Sequence, residues 1–290
     1  RKFDRCNVGV NQYGTQKNGT EAIIHATRLG LEAHLDWDLF VADAFKAFSL
    51  AANDIFMSEV KQYYPAMHKC LSNKYKEVRS AGYHGLPGGI EKTHQAEGTT
   101  AGGGESSWVY EMGARPFIRK LVEIMGEEGL VKFLIDDGTF GAHFDTLCRV
   151  VDLIISDGGK YGYVLNLKKG AYLLASTINF EEAVRRKEIL IGKGLNPEVI
   201  HIHPNSVNEC AALKEVCERT YGSKLLGSWL GTDLYIKTQL QKECDELSVI
   251  ATKLCELPDS QSLYLLFRWC FCAKVNYIMR RTPPFLVSNF

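Results

Sequence analysis

The sequence predicts an α+β fold, an antiparallel sheet backed by helices, and three observations carry that prediction. The apolar run Leu130-Val131-Lys132-Phe133-Leu134-Ile135 leads into Asp136-Asp137 and on to Gly138-Thr139-Phe140, which reads as a strand, a tight acidic turn and a second strand. Apolar residues recur at helical spacing over 20–34, 105–125 and 143–156, the last through Phe144, Leu147, Val150, Val151 and Ile154. Strands and helices alternate without the regular βαβ period of a doubly wound parallel sheet.

Taken in order, residues 1–18 are polar, with turn signals and no period. Thr20 is a plausible cap for the helix 20–34, and Asp36 to Asp38 breaks it. The run Leu39-Phe40-Val41-Ala42 is a strand that ends in Asp43. A helical stretch runs from Ala47 to about Val60, and a second helix lies near Pro65–Leu71. Residues 73–97 read as a hairpin around Pro87-Gly88-Gly89, and 98–104 as a glycine-rich loop into the helix 105–125. After the acidic hairpin and the helix 143–156 come a short strand pair at 163–166 and 171–175 and a helix at 180–192. The apolar run Leu225 to Leu230, with Gly227 inside it, suits another short strand pair. Residues 234–280 have helical period, split at Leu257-Pro258-Asp259.

At 290 residues with 46% hydrophobic composition the chain can bury a sizeable core. Lys+Arg and Asp+Glu balance at 34 each, so no overall basic footprint marks nucleic-acid binding. Any such affinity must come from local clusters: Arg115, Arg119 and Lys120, then Arg185-Arg186-Lys187, then Arg280-Arg281. The nine cysteines form no C-x-x-C pair, and an odd count argues against a secreted disulfide framework. A reducing, intracellular compartment is expected, nuclear or cytoplasmic. No apolar run reaches the ~20 residues of a membrane span, so no membrane partner is expected. The sequence opens with neither Met nor a signal-peptide core, which suggests a fragment of a longer polypeptide. His201-x-His203 with Cys210 and Cys217 matches no standard zinc spacing and reads as exposed loop, while Cys270-x-Cys272 reads as core packing.

Adjacent carboxylates on a hairpin tip repel and raise each other's pKa unless a cation or hydrogen bonds compensate. Asp136 and Asp137 form such a pair, and Asp43 at its strand end can bring a third carboxylate to them. Three hard oxygen ligands suit Mg²⁺ or Mn²⁺ rather than zinc.

Several strings, in this order, resemble the palm of a reverse transcriptase. Phe40-Val41-Ala42-Asp43-Ala44-Phe45-Lys46-Ala47-Phe48 is similar to the family's first metal motif. Glu97 to Gly102, with Tyr110, Pro116 and Ile118, resembles the loop and helix on the nucleotide side. Leu134-Ile135-Asp136-Asp137 stands where the family has its aromatic-x-Asp-Asp box. Gly159 to Lys169, with Asn166, resembles the following Gly-x-x-x-Asn-x-x-Lys motif, and Leu226 to Thr232 the segment near the primer grip. Pro258-Asp259-x-Gln261 and Arg280 to Pro284 resemble the thumb of retroelement polymerases. The resemblance covers roughly 10–284. It implies partial fingers over 1–38, a palm over 39–233 and a helical, thumb-like region over 234–290.

The resemblance implies an RNA-directed DNA polymerase that uses an RNA template, a DNA primer and dNTPs. It implies two Mg²⁺ or Mn²⁺ ions, which in two-metal sites stand about 3.5–4 Å apart. Asp43 and Asp136 would bridge them with Asp137 in support. Phe48 would lie under the sugar and reject a 2′-hydroxyl. Ala101 and Gly102 would border the nucleotide, Gly102 letting it approach the backbone. Lys169 would meet the triphosphate or pyrophosphate.

The chain departs from the family at Ala101, Gly103 and Gly104, where active members carry Gln before the Gly and Asp-Pro after it, and at Leu134, where they carry an aromatic. Two other readings therefore stand beside polymerase activity. One is a degenerate reverse-transcriptase-like domain kept as an RNA-binding or assembly module. The other is a metal-dependent hydrolase built on the acidic hairpin alone.

Overall fold

Buried stripes at helical spacing organise the helices, and the site hangs on two of them. The computed structural model describes residues 11–75, 79–86, 89–95, 98–99, 103–207 and 210–287. The chain divides into two compact units, one of Arg1–Gly19 with Val41–Gly170 and the other of Thr20–Phe40 with Ala171–Phe290. It passes from one to the other within the strand Asp38–Ala42, every residue of which is buried.

The first unit is built around the helix Ser106–Met125, which is buried on every face from Val109 to Arg115 and further along through Phe117, Ile118, Leu121 and Met125. Against it pack Asn53–Tyr63 and Pro65–Tyr75, through Phe56, Val60, Leu71 and Tyr75. Glu59 and Arg115 are both buried there as an ion pair at 3.7 Å, and Arg119 reaches the same carboxylate at 3.2 Å. Two of the three expected basic residues after the glycine run thus neutralise an internal acid. The helix Phe144–Asp157 buries Phe144, Leu147, Val150, Val151 and Ile154, the stripe read from the sequence. The strands Arg79–Leu86 and Gly89–Gln95 form the expected antiparallel hairpin.

The helical stretch expected from Ala47 to Val60 is two helices, Ala47–Leu50 and Asn53–Tyr63. The carbonyls of Phe48 and Ala51 accept from the backbone N–H groups of Thr99 and Gly98, at 2.6 and 3.0 Å, so a continuous helix cannot use them.

In the second unit the helix Gly19–Ala33 buries Ile23, Ile24 and Thr27. The strand Ala171–Leu173 pairs in parallel with Ile200–His201 after a crossover through the helix Phe180–Gly192. A parallel pair needs such a crossover, whereas the hairpins pair antiparallel. The sheet is mixed, which corrects the all-antiparallel expectation; the α+β class stands. Residues 163–166 form no strand, because the chain is still turning there (Tyr163 N–H donates to Gly158 at 2.9 Å) and Leu165 makes only a single bridge to Ala44.

Gly222–Leu225 and Ser228–Gly231 form the expected short hairpin. The helices Asp233–Cys255, Ser260–Leu266 and Cys272–Arg281 follow; the first and third pack through Ile236, Leu240, Leu247 and Ile278, while Ser260–Leu266 buries no residue. Asp259 caps the second of these by accepting from the N–H groups of Gln261 and Ser262. Cys270 is exposed and Cys272 half-buried, so the pair does not fill a core; Cys270 lies in the π-helical turn Phe267–Phe271, none of whose residues is buried. His201 and His203 are half-buried rather than exposed, and burial lowers the pKa of both, His203 to about 4. Among the described residues no helix is long and apolar enough to cross a membrane.

Candidate active site

The acidic hairpin forms as read. Leu130–Leu134 and Asp137–Ala142 pair antiparallel in the register Leu134 with Asp137, leaving Ile135 and Asp136 as the two-residue turn. Below the turn the strands carry Phe133 and Phe140 in an edge contact with ring centres 5.5 Å apart. Tyr163 meets Phe133 at 5.9 Å and Phe117 at 5.6 Å, so the acidic tip stands on a buried aromatic base. Aromatic pairs of this kind add about 0.5–1.5 kcal/mol each beyond burial, and they stiffen what they carry.

Asp43 follows the buried strand Asp38–Ala42. The segment after Tyr163 runs back along it: Phe45 N–H donates to Val164 at 2.7 Å and Asn166 N–H to the Asp43 carbonyl at 2.9 Å. This brings the Asn166 side-chain amide onto the Asp43 carboxylate, Nδ2 to Oδ2 at 2.8 Å. Lys169 N–H then closes a turn onto Asn166 at 3.1 Å. Gly170 follows with φ 90, where an added Cβ would come within 2.4 Å of the Val41 carbonyl oxygen. Only glycine lets the chain turn there against the strand that carries Asp43.

The electrostatics tie these parts together. Burial pushes the Asp136 carboxyl up, and the Asp43 charge pushes it further. Burial, then Asp136, then Asp43 push Asp137 up to about 6. Lys169, exposed, acts on both in the opposite sense. Thus Asp43 and Lys169 both lie near enough to Asp136 and Asp137 for their charges to act on them. Three partly buried carboxylates whose charges oppose one another are, in kind, a donor set for a hard divalent cation. Their side chains do not converge: among the described residues no group of three or more His, Cys, Asp or Glu is arranged to hold a metal ion. Asp43 is turned instead toward Asn166.

Phe48 is half-buried, its ring 5.6 Å from that of Tyr110. Tyr110 is 1% exposed, and burial followed by the Asp136 and Asp137 charges pushes its hydroxyl pKa up, so it stays protonated. Ala101 and Gly102 lie outside the described residues.

One residue at the site escaped the sequence. Gln12, in the aperiodic stretch 1–18, is fully buried beside the hairpin. Its backbone bridges Phe133 in parallel, and its side-chain amide holds both backbone groups of Ile135: Nε2 donates to the Ile135 carbonyl at 3.0 Å, and Oε1 accepts from the Ile135 N–H at 2.9 Å. Ile135 has φ 59, a left-handed conformation that is rare for a β-branched residue. Such a conformation costs on the order of 1–3 kcal/mol. Two neutral hydrogen bonds supply about 0.5–1.5 kcal/mol each, enough to offset that cost. No periodicity, charge or motif in the sequence singles Gln12 out, since its role depends on a partner 123 positions away.

No protein-family model matches the chain, and no curated protein matches it. Among solved structures it is similar to telomerase from Candida tropicalis truncated from its C-terminal domain, at 15% identity and TM-score 0.49, over 59% of this chain and 38% of that one. It is also similar to C. tropicalis telomerase in complex with a TWJ fragment of telomeric RNA, at 12% and 0.49, over 67% of this chain and 40% of that one. The corresponding Candida albicans complex matches at 11% and 0.41, over 61% and 34%. The chain therefore spans less than half the length of these structures, and likenesses of this extent carry no argument about its activity.

Proposed function

We propose that the chain carries the palm and thumb region of an RNA-directed DNA polymerase, acting with an RNA template, a DNA primer and dNTPs. The observation that carries this reading is the Asn166 amide on the Asp43 carboxylate, with Asp43 and Lys169 near enough to Asp136 and Asp137 for their charges to act on both. These residues come from three separated segments, and they are the ones that the motif order in the sequence picks out.

In this reading Asp43 and Asp136 would hold the cations, with Asp137 in support. Two Mg²⁺ or Mn²⁺ ions supply a lowered pKa at the primer 3′-hydroxyl and charge stabilisation on the leaving pyrophosphate. Asn166 keeps one Asp43 oxygen oriented. Lys169, on its exposed turn, meets the triphosphate as a point charge. Phe48, backed by Tyr110, closes the space beside the sugar. Replacing Phe48 by alanine is expected to raise ribonucleotide use relative to deoxyribonucleotide use by roughly 10- to 200-fold, the range one pocket contact commands. Single-nucleotide incorporation with each substrate measures it, and an unchanged ratio removes Phe48 from sugar selection.

A second reading is favoured by one observation. The carboxylates do not converge as a ligand set, which suits a degenerate domain that binds RNA or supports an assembly without catalysis. Primer extension on an RNA template with Mg²⁺ or Mn²⁺ separates the two. Extension that depends on Asp136 supports the polymerase; RNA binding with no extension under either ion supports the scaffold.

A further inference from the structure

We infer that Gln12 is the positioning residue of the acidic turn, acting through the backbone of Ile135 to set the aim of Asp136 and Asp137. The inference rests on the reading of these aspartates as cation ligands.

A primary amide carries a donor and an acceptor on one rigid plane. Presented to Ile135, it does for a turn residue what a neighbouring strand does for a strand residue. Gln12 can do this because it is fixed on every side. Its own backbone lies along Phe133: Tyr13 N–H donates to the Phe133 carbonyl at 2.8 Å, and Phe133 N–H to the Asn11 carbonyl at 2.9 Å. Its Oε1 also accepts from Gly14 N–H at 3.1 Å, and its carbonyl from Gln16 Nε2 at 2.9 Å. Gly14 lets the segment close on the turn, since a Cβ there would stand 2.6 Å from Ile135 Cγ1 and 2.2 Å from Glu111 Oε1. The segment 11–16 is thus built onto the hairpin, and the Gln12 amide meets the residue before Asp136.

The consequence is chemical. Rotation at Ile135 re-aims Asp136 directly and shifts Asp137 at the strand start. With the amide in place, the left-handed conformation of Ile135 is held whether or not a cation is present. Without it, Ile135 relaxes toward the conformations a β-branched residue prefers, and Asp136 loses the fixed direction that the turn gives it.

The test uses this chain with Gln12→Met, which keeps length and apolar volume and removes both hydrogen bonds. Mn²⁺ is titrated and its free fraction read by electron paramagnetic resonance, while hydrogen exchange reports the Ile135 amide. We expect Mn²⁺ affinity to fall about tenfold or more and Ile135 exchange to rise, with the Phe133 amide, bonded to Asn11, still protected. Adding Ile135→Gly, which adopts positive φ freely, is expected to restore part of the Mn²⁺ affinity. If Gln12→Met does not fold, Gln12→Leu, which also removes both hydrogen bonds and adds no charge, is read in the same way. Unchanged Mn²⁺ affinity overturns the inference, and so does weakened affinity with unchanged Ile135 exchange. A wild-type chain that takes up no Mn²⁺ refutes the cation-ligand reading, and the positioning role with it. Ile135 exchange in Gln12→Met then shows whether the clamp itself was misread.

Discussion

Replacing Asp136 by alanine is expected to abolish templated primer extension, by about 10³-fold or more, while leaving the fold intact or slightly more stable. The size follows from the charge stabilisation of several kcal/mol that bound divalent ions lend a transition state. Each 1.36 kcal/mol of lost stabilisation costs about tenfold in rate. The stability half follows from the site itself. Burial and the Asp43 charge both push the Asp136 carboxyl up, so its charged form is held against a cost. Alanine removes that cost and also relieves Asp137, which Asp136 helps to push up. Thermal unfolding without divalent ions should give Asp136→Ala a Tm at or above wild type. A variant that loses extension and also melts well below wild type would show that Asp136 serves the fold, not the chemistry. Extension that persists in the variant would remove the hairpin from catalysis.

The second large effect is expected far from catalysis. Asp38 is fully buried and accepts from Ala175 N–H at 2.7 Å, Tyr172 Oη at 3.2 Å and Arg186 Nη1 at 3.1 Å. Replacing it by alanine strands a backbone donor and a phenol and takes one acid from Arg186, which keeps Glu182. Losing one partner of a buried pair costs about 3–5 kcal/mol. For a chain of this size that is a drop in Tm on the order of 10 °C. Urea or thermal unfolding at neutral pH checks it, and a loss below about 1 kcal/mol, the worth of an exposed pair, would show that the network contributes little.

The same carboxyl has a pH signature. Burial raises its pKa from 3.8 to about 6, with Arg186 and the two other donors acting in the opposite sense. A folded-state pKa above the unfolded one means that the folded chain holds the proton more tightly. The proton-linked part of its contribution is full below 3.8 and is lost as pH rises through about 6, while the bonds from Ala175, Tyr172 and Arg186 remain at neutral pH. The gap between wild type and Asp38→Ala should therefore narrow across that window. A gap that widens would mean that Arg186 outweighs burial and that the folded pKa is depressed.

The sequence alone made much of the site legible. A run of apolar residues ending in Asp136-Asp137 with Gly138 beyond has few other foldings, because period-two side chains and a two-residue turn are local properties. The same holds for the helix Phe144–Asp157, whose apolar stripe is its own signal. Asn166 and Lys169 were picked out by their resemblance to the Gly-x-x-x-Asn-x-x-Lys motif, and the reverse run past Asp43 brings the Asn166 amide to its carboxylate. Length misled where a partner intervened. Ala47 to Val60 has helical period throughout, yet backbone donors from Gly98 and Thr99 cut it in two. Cys270 and Cys272 sit in an apolar sequence, but no residue of Ser260–Leu266 or of the π-helical turn Phe267–Phe271 is buried, so that stretch offers no core face.

What the sequence determined was the inventory of chemistry: three aspartates, a lysine, an asparagine, and strands and helices to carry them. What only the tertiary structure decided was their aim. Asp43 turns to Asn166, and Ile135 keeps a left-handed conformation because Gln12, 123 positions away, bonds both of its backbone groups. The reason is physical. Periodicity and turn preference are written in neighbouring residues, whereas a side-chain amide set across a turn depends on packing that brings distant segments within 3 Å of each other, and nothing near Gln12 in the chain records it.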